Sequence, residues 1–199
     1  KLIPRPETEL LVEQVLKTIS RCGFRSSNPL RIADVGAGTG CIGLAIVANV
    51  ANAILTAVDI SPDALALAGD NAERLELKPR YRLLQNNLLE GFENHSLEII
   101  VSNPPYISSE VCKALEPCVR DFEPGIALDG GEDGMCLIRP LVLQSARVLK
   151  PGGWLFLEIG YDQGPHVVQE LEQAGFEQVQ LIRDLAGLDR IVSGSIKPS

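Results

Sequence analysis

Asp34-Val35-Gly36-Ala37-Gly38-Thr39-Gly40 stands between an apolar run at 30–35 and an Ala-, Ile- and Val-rich stretch at 41–52. No other segment restricts the possible folds as far. The run reads as a strand and the stretch as a helix, so the glycines must turn the chain between them. Glycine permits a tight turn and lets a ligand come close to the backbone N–H groups at a helix start. A second short strand at 54–58 ends in Asp59. An acidic side chain there, about 20 residues past the loop, can take both hydroxyls of a ribose. Strand, glycine turn, helix and strand form a βαβ unit, which implies parallel pairing.

The alternation runs the length of the chain. Leu11, Val12, Val15, Leu16 and Ile19 form one stripe at helical spacing, so a helix is predicted over 7–20, with Pro6 suited to its first turn. Ser61 and Pro62 read as N-cap and first position of a helix that continues to about 77. Strands follow at 81–85 and 97–102, then a helix at 135–149 stopped by Pro151-Gly152-Gly153. A strand at 154–159, a helix at 164–174 and strands at 179–182 and 189–193 complete the pattern. The connection 183–188 is too short for a crossover helix, so the last two strands pair antiparallel. The predicted fold is α/β and Rossmann-like: seven strands, mostly parallel, with an antiparallel C-terminal hairpin and helices on both faces.

At 199 residues the chain fits one domain, 1–199, and its 45% hydrophobic content can build a full core. No apolar stretch approaches the roughly 18 residues of a membrane span, and no signal-peptide pattern is present. The net charge is −8 with no Lys/Arg cluster, which weighs against duplex nucleic acid, a ligand held by neutralising its phosphates. The five cysteines are scattered without a C-x-x-C, and only His95 and His166 could join them. Neither a disulfide framework nor a metal site is suggested, and a reducing cytoplasm is the expected setting.

Two cofactors suit the glycine loop. A dinucleotide is one, because Gly38-Thr39-Gly40-Cys41-Ile42-Gly43 also satisfies G-x-G-x-x-G. S-adenosylmethionine is the other, with a like ribose and adenine but no phosphate. Three features favour it. Asp34 sits two residues before the first glycine, where a carboxylate can serve the cationic amino group of the methionine half. The glycines run in the tighter G-x-G-x-G form. The terminal hairpin belongs to methyltransferases and not to dehydrogenases.

Asn103-Pro104-Pro105-Tyr106 follows the strand at 97–102. Proline fixes its own φ and disfavours the helical region for the residue before it, so Asn103 and Pro104 are held extended. The Asn103 side-chain oxygen and the Pro104 carbonyl become two acceptors on a stiff backbone, with an aromatic ring two residues on. Such a device can grip a planar –NH2 group by both N–H bonds while the ring covers its face.

The residues then resemble the HemK/PrmC family of protein-(glutamine-N5) methyltransferases. The matching segments are Leu2-Ile3-Pro4-Arg5-Pro6-Glu7-Thr8-Glu9, the 34–40 loop, Asn103-Pro104-Pro105-Tyr106, Glu123-Pro124 and 127–134. Glu158-Ile159-Gly160, Gln163-Gly164 and 184–190 extend the match to the end of the chain. The resemblance implies a class I S-adenosylmethionine-dependent methyltransferase. It would act on the glutamine of the GGQ motif in class I peptide chain release factors. It also implies that the family's helical N-terminal domain is absent here, leaving the catalytic domain alone. A nucleic-acid amino methyltransferase, acting on adenine N6 or guanine N2, is the alternative, because Asn-Pro-Pro-Tyr is shared with such enzymes.

Asp34, Gly36, Ala37, Gly38, Thr39, Gly40, Asp59, Ile60, Asn87, Leu88 and Asn103 are the cofactor-binding candidates. Asn103, Pro104 and Tyr106 are the catalytic ones, and with Pro105 they hold the substrate. After the third strand the family typically has an Asp that accepts the adenine amino group. Asn86-Asn87-Leu88 stands there instead, and either asparagine could accept neutrally, with a weaker bond. The stiff Pro4-Arg5-Pro6 opening allows 5–9 to act either as a lid or as a rigid start to the first helix. Glu158, ending its strand, can face the site or make a structural hydrogen bond. The long stretch between Tyr106 and the next helix is expected to contact substrate.

Overall fold

The structure is a computed structural model that describes residues 6–24, 29–114 and 128–198. Arg5 of the proposed lid, and Leu2, Ile3, Pro4, Arg5, Glu123, Pro124 and Ala127 of the matched segments, lie outside the described residues. Seven strands form one sheet: β1 (Leu30–Val35), β2 (Ala53–Asp59), β3 (Tyr81–Gln85), β4 (Leu97–Ser102), β5 (Leu149–Glu158), β6 (Phe176–Arg183) and β7 (Asp189–Ile196). Their spatial order is β3-β2-β1-β4-β5-β7-β6. The first five pair parallel, and β7 is antiparallel to both β5 and β6. The architecture therefore matches the expected one, C-terminal hairpin included.

Six helices accompany the strands among the described residues: α1 (Pro6–Arg21), α2 (Cys41–Asn49), α3 (Pro62–Arg74), α4 (Ser109–Ala114), α5 (Ile138–Val148) and α6 (Gly164–Gln173). Side chains alternate across a strand, so each strand feeds two cores. Ile32, Ile99, Val101 and Phe156 pack with Leu11 and Val15 of α1, Ile46 of α2 and Leu65 of α3. Ala33, Val35, Ile100 and Leu157 pack with Leu141 of α5 and Val167 of α6 on the other face. Burial on both faces is why the central strands read as unbroken apolar runs. Ser61 caps α3 as expected, its hydroxyl accepting the Ala64 N–H at 3.2 Å.

Several boundaries differ from the sequence reading: the second helix ends at Asn49, α5 begins at Ile138, β6 begins at Phe176 and β7 runs on to Ile196. Two further differences have clear physical reasons. Pro151-Gly152-Gly153 does not separate helix from strand, because β5 already begins at Leu149. Leu97 faces Leu149 and Ile99 faces Trp154, so residues 150–153 bulge opposite the single residue Glu98. Gly152 permits this with φ +77°. The bulge sets the Lys150 ammonium on the buried Glu98 carboxylate, whose other oxygen accepts the Arg31 N–H at 2.8 Å. The helix predicted to 77 stops at Arg74, where Glu76 turns to φ +58° and a short 3-10 turn, Lys78–Arg80, leads into β3. The stretch after Tyr106 also holds α4, a short helix for which the sequence pattern predicts no element.

Between β6 and β7 the turn folds onto one carboxylate. Asp184 accepts the Ala186 and Leu188 N–H groups at 2.9 and 3.0 Å and pairs with the Arg190 guanidinium. Those bonds hold its carboxyl below the usual range. The matched segment 184–190 is thus accounted for by its own hairpin.

The order of strands reverses between β1 and β4: β1 leads outward to β2 and β3, and β4 leads the other way. Open α/β sheets bind ligands outside the carboxyl ends of the strands at that reversal. Residues 36–40 follow β1 and residues 103–106 follow β4.

Phe156, 1% exposed, stacks with Trp154 at 5.9 Å between ring centroids on the strand that joins the parallel and antiparallel halves. Phe156→Ala is expected to cost about 3–5 kcal/mol in urea unfolding with an unchanged m-value. A loss under about 1 kcal/mol would show that this junction is not a tightly packed part of the core.

Candidate active site

The glycine loop is built from its own hydrogen bonds. Gly36 and Ala37 both donate to the Val58 carbonyl, at 2.8 and 3.1 Å, and Gly40 donates to Ala37 at 2.8 Å. Gly38 donates to Asp59 Oδ2 at 2.9 Å, while Asp59 Oδ1 takes the Ser61 N–H. Gly36, Gly38 and Gly40 all have positive φ, the left-handed region that favours glycine. A loop that cradles phosphate needs its N–H groups open to the anion. Four of these are already engaged, so the dinucleotide alternative loses its anchor.

Asp34 lies beneath the loop, 0% exposed. Its Oδ2 accepts the Gly43 N–H at 2.9 Å in the first turn of α2, where an external anion would otherwise sit. A Cβ at Gly43 would stand 2.9 Å from that oxygen, which explains the glycine. Asp34 Oδ1 is buried with no hydrogen-bond partner. Burial is the main cause that pushes the Asp34 carboxyl up to about 7; the Gly43 bond opposes this and the nearby Asp59 charge adds to it. The orphaned oxygen is an unused acceptor, suited to one cationic or N–H donor such as a methionine amino group.

Beyond β4, Ser102 Oγ donates to the Val35 carbonyl at 2.6 Å and ties the roots of the two loops together. The Asn103 carbonyl lies 4.0 Å from where a Gly36 Cβ would be. The structure thus brings the acceptor motif against the glycine loop. None of the side-chain hydrogen bonds among the described residues uses the Asn103 carboxamide. Pro104 is buried, and Pro105 and Tyr106 are half-buried. Ile107 donates to Leu128 at 3.1 Å and accepts from Gly130 at 2.7 Å, so the chain leaving Tyr106 pairs with 128–130.

That pairing assigns a job to the 130–134 segment. A Cβ at Gly130 would stand 2.8 Å from the Pro105 carbonyl, and one at Gly134 would collide with the Tyr106 carbonyl. These glycines let the segment lie directly on the acceptor motif as a buttress. Glu132 stays exposed.

The asparagines after β3 divide their labour. Asn86 Nδ2 donates to the Leu88 and Glu90 carbonyls at 3.3 and 2.7 Å, closing the turn. Asn87 is exposed, and its Nδ2 is held by Glu90 Oε1 at 2.5 Å, leaving the carboxamide oxygen as the acceptor. Leu88 takes φ +49°, a strained conformation for a branched apolar residue. Ile60, 55% exposed beside Asp59, offers a second apolar surface near that edge. Glu158 is 2% exposed and accepts the Thr8 hydroxyl at 3.1 Å, so it ties α1 to the carboxyl end of β5.

One residue with a part in this site carried no role in the sequence reading. Gln163 is 8% exposed and donates to the Tyr106 carbonyl at 3.0 Å. A carboxamide meeting a main-chain carbonyl 57 residues away follows no sequence period. Its place in the matched segments was the sole signal. A 230 Å³ hollow at the amino ends of β1 and β2, lined by Arg31, Ile54 and Arg82 among others, contains none of the candidate residues.

Residues 7–116 match the family described as the methyltransferase small domain. The release factor glutamine methyltransferase of Caulobacter vibrioides is 43% identical over 197 residues, covering 99% of this chain and 66% of that protein. Its Salmonella typhimurium counterpart is 39% identical over 99% of this chain and 68% of that protein. The chain thus spans about two thirds of the length of these relatives. Among solved structures, the ribosomal protein L11 methylase of Lactobacillus delbrueckii subsp. bulgaricus superposes with a TM-score of 0.68 at 22% identity, over 98% of this chain and 81% of that one. A Thermus thermophilus 16S rRNA N2 methyltransferase in complex with AdoMet and guanosine gives 0.67 at 22% identity, over 98% of this chain and 44% of that one. These likenesses show the fold, that of class I methyltransferases.

Asp34 makes the free protein sensitive to pH in a set direction. Between its ordinary value of 3.8 and about 7, the unfolded chain has released the proton and the folded one keeps it. The folded state binds more protons there, so stability falls as pH rises through that window and levels off above it. Asp34→Asn should remove a decline on the order of 4 kcal/mol. The melting temperature of the variant minus that of the wild type should therefore climb between pH 4 and 7. A flat difference would place the Asp34 carboxylate in a better solvated site than the one seen.

Proposed function

Because the chain belongs to the methyltransferase small domain family, and within it to the release factor glutamine methyltransferases, we propose that it methylates the GGQ glutamine of class I peptide chain release factors. The methyl goes from S-adenosylmethionine to the side-chain amide nitrogen. The observation that carries the reading is the rigid Asn103-Pro104 acceptor pair set against the glycine loop. Residues 1–199 act as the catalytic unit, working in the cytoplasm. The net charge of −8 favours a protein substrate over a nucleic acid.

The residues present fit the cofactor. Asp34, with its orphaned oxygen, would hold the amino group, and the backbone of Gly36, Ala37, Gly38, Thr39 and Gly40 would lie along the methionine half. Asp59 would take the ribose hydroxyls, its lone pairs outnumbering the two bonds it already accepts. Ile60 and Leu88 would flank the adenine, and the Asn87 oxygen would accept its amino group. When bound, S-adenosylmethionine supplies an electrophilic methyl on a sulfonium.

An amide nitrogen is a poor nucleophile because its lone pair is delocalised into the carbonyl. The Asn103 oxygen and the Pro104 carbonyl each accept one N–H of the substrate amide. Two bonds of that geometry turn the nitrogen towards the donor and favour its pyramidal, nucleophilic form in the transition state. Tyr106 packs on the amide plane. The nitrogen sheds one proton to solvent after alkylation, when that proton is far more acidic, so no strong base is needed beforehand.

Asn103→Ala should lower kcat by at least about 100-fold while cofactor affinity by calorimetry changes by less than about threefold. Near-normal turnover would remove the acceptor pair from the mechanism. Asn87→Ala should weaken cofactor binding by roughly fivefold, the worth of one neutral hydrogen bond, with kcat unchanged. Tritiated methyl should appear on a purified release factor and not on its GGQ Gln→Ala variant. Transfer to RNA or DNA in place of the release factor would shift the assignment to the nucleic-acid amino methyltransferases.

A further inference from the structure

Gln163 occupies the N-cap position of α6 but does not cap it: its side chain makes no bond to the helix's own N–H groups. Asn, Asp, Ser and Thr are the usual residues there because they make that bond. The Gln163 carboxamide is turned inward and is fully used. Its Oε1 accepts the Gly160 N–H at 2.9 Å, at the carboxyl end of β5. Its Nε2 donates to the Tyr106 carbonyl at 3.0 Å and to the Gly134 carbonyl at 3.2 Å. One side chain therefore joins three segments that meet at the crevice, across 57 and 29 residues of sequence.

We infer that Gln163 is a positioning residue for methyl transfer, a clamp that fixes the downstream end of the Asn-Pro-Pro-Tyr segment; this rests on the function proposed above. The upstream end is fixed by β4 and by the Ser102 bond to Val35. Between these anchors the prolines remove two φ rotations and restrict the backbone before each. Few torsions remain, so holding the Tyr106 carbonyl holds the direction of the Pro104 carbonyl and the Asn103 side chain. The chemistry demands a carboxamide of this length. A carboxylate would set oxygen against two carbonyl oxygens, and an ammonium could not accept from Gly160. The absent side chain at Gly134 is part of the device, since a Cβ there would stand 2.6 Å from Gln163 Nε2.

Misplacing catalytic groups by about 1 Å can cost about 100-fold in rate. Gln163→Met and Gln163→Glu should lower kcat by about 10- to 100-fold, with cofactor affinity unchanged, at a temperature where both variants are folded by calorimetric melting. For Gln163→Glu the ratio of its rate to wild type should rise as pH falls, because the protonated carboxyl regains one donor. Amide exchange at Ile107 and Gly130 should accelerate in both variants, while exchange in β4 stays as in wild type. A purely structural role would lower the melting temperature without moving kcat, the pH ratio or those two amides, and that result overturns the clamp. If wild type transfers no methyl to a release factor, the functional reading fails, and the exchange at Ile107 and Gly130 still decides the clamp by itself.

Discussion

The register of β4 against β1 is the constraint on which the crevice depends. Val35 faces Ser102 at the carboxyl ends of the two strands, and the Ser102 hydroxyl bonds the Val35 carbonyl at 2.6 Å. The glycine loop and the acceptor motif are the next residues on either side. A slip of β4 by one position would turn it inside out relative to β1 and send its side chains into the opposite cores. Both cores hold fully buried β4 side chains, Ile99 and Val101 on one face and Ile100 on the other. The fold cannot relax the register without repacking both of them, so the spacing between the two loops is set by close packing of buried side chains on both faces of the sheet.

Within that spacing, charge is handled by the chain itself. A helix N-terminus under a glycine turn commonly receives an anion from the ligand. Here the Asp34 carboxyl takes that place from below, and the loop N–H groups are spent on Val58, Ala37 and Asp59. The result is a loop whose backbone can approach a ligand closely yet has little pull on phosphate. A buried carboxylate with one oxygen unbonded sits in the same place, raised towards neutrality by desolvation. The same ten residues, 34–43, that look like a dinucleotide motif in sequence thus offer phosphate little once their hydrogen bonds are known.

Much of this was legible in the sequence because the signals were local. Strands buried on both faces produce continuous apolar runs, and β1 and β4 fell where those runs stood. Ser61-Pro62 announced its helix because capping is a contact over three residues. The start of β5 was not legible: Pro151-Gly152-Gly153 is ordinarily a stop, and only pairing with β4 shows a bulge that carries Lys150 to Glu98. Asp34, Asp59 and Asn103 could be named from position, but not the burial of the first nor the loop N–H that the second already holds. The choice between Asn86 and Asn87 depended on which carboxamide the turn consumes.

Stiffness in the Asn-Pro-Pro-Tyr segment is intrinsic, but direction is not. Proline rings remove torsional freedom from three residues, Asn103, Pro104 and Pro105, without saying where those residues point. Pointing comes from the two ends, one locked by the sheet and the other by a side chain reaching in from the start of α6. The clamp there meets the same chemical problem as the active site. Gln163 presents an –NH2 group to two carbonyls, Tyr106 and Gly134, just as the proposed substrate presents one to Asn103 and Pro104. Two acceptors facing one planar amino group leave it a single orientation. On the proposed function a carboxamide is thus gripped twice in the same loop cluster, by Tyr106 and Gly134 to set the geometry and by Asn103 and Pro104 in each turnover to use it.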